Sequence, residues 1–258
     1  YFTIRTRFPQ VRLFRKACNA VMEKPEGKES VSSFQALMVS TASRVGTGNI
    51  VGVSSAICIG GVGSVFWMWI IAILGSASAL AESTLAQIYK KKGEDGKCYG
   101  GPAYYIEAAL HSRGLAVVFC IAMILTYAFG FNMLASYNLQ STFAGQPFYN
   151  ADITPWIIGG ILALVMGWCL LGGGNRIVKV TSTLVPFMGI AYILVSLLVV
   201  VLNIGQLPSV MAQIFKEAFD FKAIFAGFAG SAMMQGIRRG LYSNEAGIGS
   251  APNAAASA

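Results

Sequence analysis

The chain has 258 residues and a formal net charge of +8, and 55% of its residues are hydrophobic while only 12% are charged. Its mean hydropathy is +0.61, whereas about a quarter of the residues in soluble domains are charged. This composition excludes an ordinary soluble domain, although the length would allow one large or two small ones.

Asp, Glu, Lys and Arg are absent from four long blocks, which are residues 45–81, 114–151, 154–175 and 180–215. A charged side chain at the centre of a bilayer costs about 2.5–3.5 kcal/mol on insertion scales, so these blocks indicate membrane-spanning segments. In chain order, the sequence predicts a basic segment at 1–30 and then six apolar runs at 34–59, 62–81, 115–142, 153–171, 180–204 and 223–237. The connectors are predicted to include a short interfacial helix at 104–111, a tight turn at 172–175 and an amphipathic surface helix at 209–222.

The positive charges lie in short segments between the apolar runs. Residues 1–30 carry seven Lys and Arg residues, whereas the loop at 143–153 carries none. This asymmetry predicts that residues 1–30 face the cytoplasm, because cytoplasmic loops of membrane proteins are enriched in Lys and Arg. The charges do not form one basic face interleaved with aromatic residues, so the pattern predicts no nucleic-acid partner.

The cysteine and histidine content predicts neither a metal centre nor a bound cofactor. His111 is the only histidine and the cysteines form no CxxC pair; three of the five, Cys58, Cys120 and Cys169, are expected to be small buried hydrophobes within the apolar runs. The chain shows no signal peptide and begins at Tyr1 without Met, which indicates a piece of a longer protein.

The first apolar run is interrupted by the sequence Val45-Gly46-Thr47-Gly48-Asn49. Two glycines within three residues weaken a helix, and backbone opened inside a membrane persists only where it lines a cavity or binds a ligand. The N–H groups that open the second half-helix suit a carboxylate, the side chains of Thr47 and Asn49 add polar groups, and the freed carbonyls of residues 43–46 suit a dehydrated sodium ion. The alternative is that the glycines only allow close helix packing, with Arg44 extending toward the cytoplasmic interface.

A second interrupted segment runs from Gly240 to Pro252. Two such segments in corresponding positions indicate an inverted repeat with a binding site between its halves. Glu245 is an acid in this otherwise small and apolar region, which makes it a functional candidate. The alternative is a cytoplasmic loop acid that pairs with Arg238 or Arg239.

No pair of side chains in the apolar runs offers nucleophilic or acid–base chemistry beyond Arg44 and Glu245, so the sequence predicts that the protein is not an enzyme. The glycine-rich stretch at 60–64 lacks the Lys-Ser/Thr of a phosphate-binding loop and follows no strand, which argues against a nucleotide. Gln140 lies near the end of the third run and is expected to face the interior of the bundle, because an amide is costly in lipid.

Several segments together resemble the alanine/glycine:cation symporter family, the bacterial sodium:alanine symporters. The matching stretches run through the whole chain and include Ala42-Ser43-Arg44-Val45-Gly46-Thr47-Gly48-Asn49, Glu82-Ser83-Thr84-Leu85-Ala86-Gln87, Gly100-Gly101-Pro102-Ala103-Tyr104-Tyr105 and Tyr242-Ser243-Asn244-Glu245-Ala246-Gly247. Gly61-Val62-Gly63 departs from the usual Gly-Gly-Pro-Gly of the family at the entry to the second helix.

The resemblance implies an all-α polytopic membrane protein with a LeuT-like inverted-repeat fold in the bacterial plasma membrane. It implies that residues 31–204 form the first repeat of five spanning helices, 205–222 an extracytoplasmic amphipathic segment and 223–258 the start of the second repeat. The implied function is sodium-coupled symport of a small neutral amino acid, alanine or glycine, with no cofactor besides the coupling ion. A channel or uniporter for a small polar solute is the alternative.

The resemblance also implies roles for individual residues. The substrate would contact Gly46, Thr47, Gly48, Asn49 and Gln140. Sodium would contact Ser43, Val45 and Asn49, and Arg44, Asn244 and Glu245 would act in gating or in holding the structure.

Overall fold

The computed structural model describes residues 1–22, 33–44, 46–93, 98–220 and 231–256, and these residues are almost entirely helical. The first helices are α1 (Phe2–Arg5), α2 (Pro9–Arg12), α3 (Phe14–Val21), α4 (Ser33–Arg44), α5 (Thr47–Gly60) and α6 (Ser64–Ile88). A two-residue hairpin, β1 (Lys91–Lys92) paired antiparallel with β2 (Cys98–Tyr99), leads into α7 (Pro102–Leu110). The remaining helices are α8 (Arg113–Ile124), a π-helix (Leu125–Phe131), α9 (Asn132–Ser141), α10 (Thr154–Leu171), α11 (Gly173–Leu202), a 3₁₀ turn (Ile204–Gln206), α12 (Leu207–Ala218), α13 (Ala232–Asn244) and α14 (Ser250–Ala256).

Four helical segments within the described residues are long and apolar enough to cross a membrane. They are Ser64–Ile88, Arg113–Ser141, Thr154–Leu171 and Gly173–Leu202. They match the predicted second to fifth runs, but the second extends to residue 88 and the fifth begins at residue 173. The turn predicted at 172–175 is shorter in the structure, where Gly172 is the one residue between α10 and α11. The reversal of direction falls at Gly173, the first residue of α11, which has a φ of +71°.

The other two predicted runs are not single long helices. The first is divided into helices of 12 and 14 residues, α4 and α5. The start of the sixth, residues 223–230, lies outside the described residues, and its remainder belongs to the 13-residue α13.

The long helices turn most of their apolar side chains outward, as a helix facing lipid does. Leu171 is 91% exposed and Trp156 is 82% exposed. Cys58 and Cys120 are also exposed, so the expectation that they are buried is wrong. They belong to apolar stretches whose hydrophobic side chains face outward instead of packing into a core, which is consistent with lipid as the surrounding medium.

The basic N-terminal segment packs against α6. Thr3 is buried, and the side-chain amide of Gln10 donates a hydrogen bond of 2.8 Å to the carbonyl of Ile73. Residues 1–12 are therefore attached to the helical bundle, and their side of the membrane remains a prediction.

The amphipathic helix α12 covers the first turn of α6. The carboxylate of Glu217 accepts a hydrogen bond from the Gly63 N–H at 3.3 Å, and the Trp67 indole N–H donates to the Ala218 carbonyl at 3.0 Å. The ring of Phe66 lies 5.6 Å from that of Phe215, centroid to centroid. The Glu217 charge at a helix N-terminus is favourable because the first N–H groups of α6 carry partial positive charge.

The helix α13 packs closely along α6 through two glycines one turn apart. A Cβ at Gly236 would lie 2.4 Å from the carbonyl oxygen of Ser64, and a Cβ at Gly240 would lie 2.9 Å from the Cβ of Ile71. Small residues at this spacing let membrane helices approach until their backbones are almost in contact. This packing positions the C-terminal end of α13, where the second interruption begins.

Candidate functional site

The first interruption separates α4, which ends at Arg44, from α5, which begins at Thr47. Gly46 is extended, with φ −126° and ψ −169°, and a Cβ placed on it would meet no atom within 4 Å. Every residue type can adopt this conformation, so the backbone angles at this position do not require glycine. Val45, the side chains of Ser43 and Thr47 and the surroundings of Gly48 lie outside the described residues.

Asn49 bridges the first interruption. Its side-chain amide donates a hydrogen bond of 2.8 Å to the carbonyl of Arg44, and its backbone N–H donates to the carbonyl of Gly46 at 3.1 Å. The Arg44 carbonyl is freed from the helical pattern by the break, and the Asn49 amide satisfies it. Asn49 therefore holds the ends of the two half-helices at a set distance.

The second interruption is a five-residue turn between α13, which ends at Asn244, and α14, which begins at Ser250. Gly247 and Gly249 have φ values of +93° and +90°, a region that only glycine adopts readily. Glu245 has a φ of +50°, which costs a non-glycine residue about 1–2 kcal/mol. Backbone in such a conformation persists only where its surroundings hold it, and it concentrates at functional sites.

The Glu245 carboxylate is held by two hydroxyl groups. Glu245 is only 6% exposed, and its Oε2 accepts hydrogen bonds from the Ser250 hydroxyl at 2.7 Å and from the Tyr127 hydroxyl at 3.3 Å. Ser250 opens α14, and Tyr127 comes from the π-helix that interrupts the third spanning helix. The carboxylate is thus buried and joined by hydrogen bonds to two other elements of the bundle.

The π-helix that supplies Tyr127 is stabilised by Asn132. The Asn132 side-chain amide donates to the carbonyls of Tyr127 and Ala128, both at 3.1 Å. One-turn π segments shift the side chains of a helix relative to those on either side and are frequent at functional sites. Here the segment brings the Tyr127 hydroxyl to Glu245, 118 residues away along the chain.

The two interrupted helices pack against each other in opposite directions. The helix α13 lies against α5 and α6, and α14 lies against α4 and α6, so each half of the second interrupted helix meets one half of the first. The two interruptions are therefore neighbours, and α6 runs past both. This juxtaposition of opened backbone from two distant parts of the chain defines the candidate site.

Glu82 of α6 lies at this junction. Its Oε1 lies close to Gly247 of the second interruption, and its carboxylate interacts electrostatically with Arg44 at the first interruption. Burial and the nearby Glu82 charge raise the pKa of the Tyr105 hydroxyl on α7, so Tyr105 is a neutral hydrogen-bond donor at physiological pH. Among the sequence-predicted residues, Arg44, Asn49, Asn244 and Glu245 come together here.

A cavity of about 460 Å³ opens along α5, between α5, α9 and α13. Gly52, Asn138, Arg239 and Tyr242 are among the residues that line it, and the Arg239 guanidinium lies 5.2 Å from the centre of the Tyr242 ring. Gln140 lies two residues beyond Asn138 in α9, and its Oε1 accepts a hydrogen bond of 2.7 Å from the Tyr149 hydroxyl. Contact between Gln140 and a substrate remains a prediction.

Glu82, Tyr127 and Ser250 were not predicted as site residues from the sequence. Glu82 did carry a signal, because it is an acid that directly follows a charge-free apolar block and an acid in a spanning helix is a functional candidate. Tyr127 carried no such signal, because tyrosine is common in apolar helices. Only the π-helix directs the Tyr127 side chain to Glu245. Among the described residues, no group of three or more His, Cys, Asp or Glu side chains could hold a metal ion.

The helical architecture, the four outward-facing apolar helices and the paired interruptions define a multi-pass membrane protein of the transporter class. The sodium:alanine symporter family model matches residues 1–258, and the chain belongs to this family. Its members are transporters and not enzymes.

Three relatives illustrate the similarity. The chain is 46% identical over 259 residues to the amino-acid carrier protein AlsT of Bacillus subtilis and 47% identical over 261 residues to a protein of that organism named "Probable sodium/glutamine symporter GlnT". It is 38% identical over 261 residues to the sodium/alanine symporter AgcS of Methanococcus maripaludis. Each match includes 100% of the chain but only 54%, 53% and 58% of the respective relative, so the chain spans little more than half the length of these proteins.

Proposed function

We propose that the chain forms part of a secondary transporter that couples sodium entry to the uptake of a small neutral amino acid, alanine or glycine, across the bacterial plasma membrane. The main support for this proposal is that two interrupted helices pack against each other in opposite directions. The chain that contains them belongs to the sodium:alanine symporter family. In this proposal residues 1–30 face the cytoplasm, and the intact protein has a LeuT-like fold of two inverted repeats. Interrupted helices near the middle of the membrane are the usual ligand sites of such folds.

In this mechanism the two ligands occupy adjacent positions at the first interruption. The substrate carboxylate binds the N–H groups that open α5, where the helix dipole and the unpaired donors favour an anion. Sodium binds carbonyl oxygens freed at the end of α4, with Asn49 holding the two half-helices in place. The opposite charges of the ligands attract, so each raises the affinity for the other by the same factor. A small pocket selects alanine or glycine chiefly by excluding larger side chains.

Accumulation against a gradient tests this proposal. The intact transporter is reconstituted into proteoliposomes, and labelled alanine is measured inside them after an inward sodium gradient is imposed. We expect the internal alanine concentration to exceed the external one and to equalise when the sodium gradient is collapsed. A channel or uniporter would only equalise the two concentrations, so equalisation without accumulation under the sodium gradient would support that alternative.

Gly48→Leu is expected to reduce sodium-driven alanine uptake at least tenfold, because an isobutyl group beside the N–H groups that open α5 obstructs the proposed carboxylate position. The measurement is the initial uptake rate per amount of reconstituted protein. Gly160→Leu is the matched control, because a Cβ at Gly160 in α10 meets no atom within 4 Å. Unchanged uptake in the Gly48 variant, at a control rate close to that of the wild type, would remove the first interruption as the substrate site.

A further inference from the structure

Unpaired buried polar atoms are concentrated at the junction of the two interruptions. Five buried side-chain atoms in the described part of the chain lack a hydrogen-bond partner, and four of them belong to residues at or beside the interruptions. These four are Arg44 Nε, Glu82 Oε2, Ser243 Oγ and Asn244 Nδ2. Buried polar atoms are nearly always paired, so each exception calls for a specific explanation, such as a bound ion or ligand group.

The two oxygens of the Glu82 carboxylate are in different situations. Oε1 faces the second interruption, 3.6 Å from where a Cβ on Gly247 would lie. Oε2 is buried and has no hydrogen-bond partner. A buried carboxylate oxygen is a strong acceptor, and leaving it unpaired is costly. One oxygen of the side chain therefore lies against the second interruption, and the other can accept a donor or a cation.

Arg44 is the positive group that acts on this carboxylate. The interaction is electrostatic, and the Arg44 Nε remains without a hydrogen-bond partner. The second carboxylate near the junction, Glu245, receives the hydroxyls of Ser250 and Tyr127. The two acids therefore differ, because Glu245 is held by donors of the protein itself while one oxygen of Glu82 is not.

We propose that Glu82 Oε2 binds a monovalent cationic group at the junction of the interruptions, either a sodium ion or the α-ammonium group of the amino-acid substrate. The inference rests on the proposed function, and it assigns Glu82 as a specificity-determining residue. Both groups suit a carboxylate oxygen, because sodium is a hard cation and an ammonium group donates charge-assisted hydrogen bonds. Because Oε1 of the same carboxylate lies against Gly247, a ligand on Oε2 lies beside the second interruption.

The test compares Glu82→Gln with the wild type in the intact purified transporter. Glutamine keeps the shape of the side chain and one acceptor oxygen but removes the charge. Two properties are measured: the sodium concentration that gives half of the sodium-dependent thermal stabilisation without amino acid, and the concentrations of alanine and of lactate that halve labelled alanine uptake. Lactate carries a hydroxyl where alanine carries the ammonium group. Glu217→Gln is the matched control, because it removes the charge of another acid, which accepts the Gly63 N–H at the other end of α6.

If the cation is sodium, Glu82→Gln raises the half-saturating sodium concentration at least tenfold and the control does not. If it is the substrate ammonium, sodium stabilisation is unchanged, the half-inhibitory alanine concentration rises at least tenfold and that of lactate stays the same. Wild-type values for sodium, alanine and lactate in a folded Glu82→Gln protein would overturn the proposal.

Two further measurements keep the inference and the proposed function distinguishable. If Glu82→Gln does not fold, Glu82→Asp is measured instead. Aspartate keeps the negative charge but its side chain is one methylene shorter. Wild-type affinities for both ligands in that variant would overturn the inference. If the wild type fails to accumulate alanine, the proposed function fails, while the sodium-stabilisation measurement still tests Glu82 because it needs no amino acid.

Discussion

Replacing Glu245 with alanine is expected to reduce sodium-driven alanine uptake by the intact transporter about 10- to 100-fold. The substitution removes the acceptor of the Ser250 and Tyr127 hydroxyls, which are bonded at 2.7 Å and 3.3 Å. A hydrogen bond to a charged group contributes about 1.5–3 kcal/mol, and each 1.4 kcal/mol corresponds to a factor of ten. Without these hydrogen bonds, residue 245 is no longer held at its φ of +50°, so the turn between α13 and α14 no longer has one preferred conformation.

Three companion variants test whether the hydrogen bonds cause this loss. Ser250→Ala removes the shorter bond and is expected to lower uptake more than Tyr127→Phe, which removes the longer one. Glu107→Ala is the control, because it removes an exposed acid from α7. The measurement is the initial rate of alanine uptake at equal amounts of reconstituted protein. If Glu245→Ala keeps more than half of the wild-type rate, the carboxylate does not organise the second interruption.

Gly236→Ala is expected to destabilise the intact protein by about 1–3 kcal/mol, the usual range for overpacking a close contact. A Cβ at this position would lie 2.4 Å from the Ser64 carbonyl oxygen, which belongs to the backbone of α6 and cannot rotate away. The helices α13 and α6 must therefore separate locally. Because α13 carries the second interruption at its end, alanine uptake should fall together with stability.

The measurement is the thermal unfolding midpoint in detergent, where 1 kcal/mol corresponds to about 2–4 °C for a domain of 150–250 residues. Gly189→Ala in α11 is the matched control, since a Cβ there meets no atom within 4 Å. Alanine is the better helix former by about 1 kcal/mol, so the control should be neutral or slightly stabilised. Equal midpoints for the two variants would contradict the close packing of α13 on α6.

Local composition was sufficient to predict where the spanning helices lie, because each of them must satisfy its own backbone in lipid and present apolar side chains outward. Residues 64–88 and 154–171 illustrate this, since each contains a long apolar stretch without charge, up to residue 81 in the first and throughout the second. Helix ends were harder to predict. The start of α11 at Gly173 depends on a single-residue connection, and polar residues such as Asn175 and Arg176 do not prevent a helix from continuing outside the membrane.

The candidate site was predictable in part. The glycine-rich stretch at 46–49 and Glu245 were identified from the sequence, because opened backbone and an acid are both anomalous inside a membrane. Their immediate partners were not predictable. The Asn49 amide bonds the Arg44 carbonyl, and Gly46 adopts an ordinary extended conformation that its residue type did not indicate.

The amino-acid sequence alone thus determined the class of this protein, its spanning segments and the two interruptions, because these follow from hydrophobicity and local backbone preference. The tertiary structure alone decided that the interruptions meet, that Glu82 of α6 lies against Gly247 of the second interruption and that Tyr127 reaches Glu245. Those contacts join residues more than 100 positions apart. They depend on the crossing of helices and on one π-turn, and neither leaves a pattern in the local sequence.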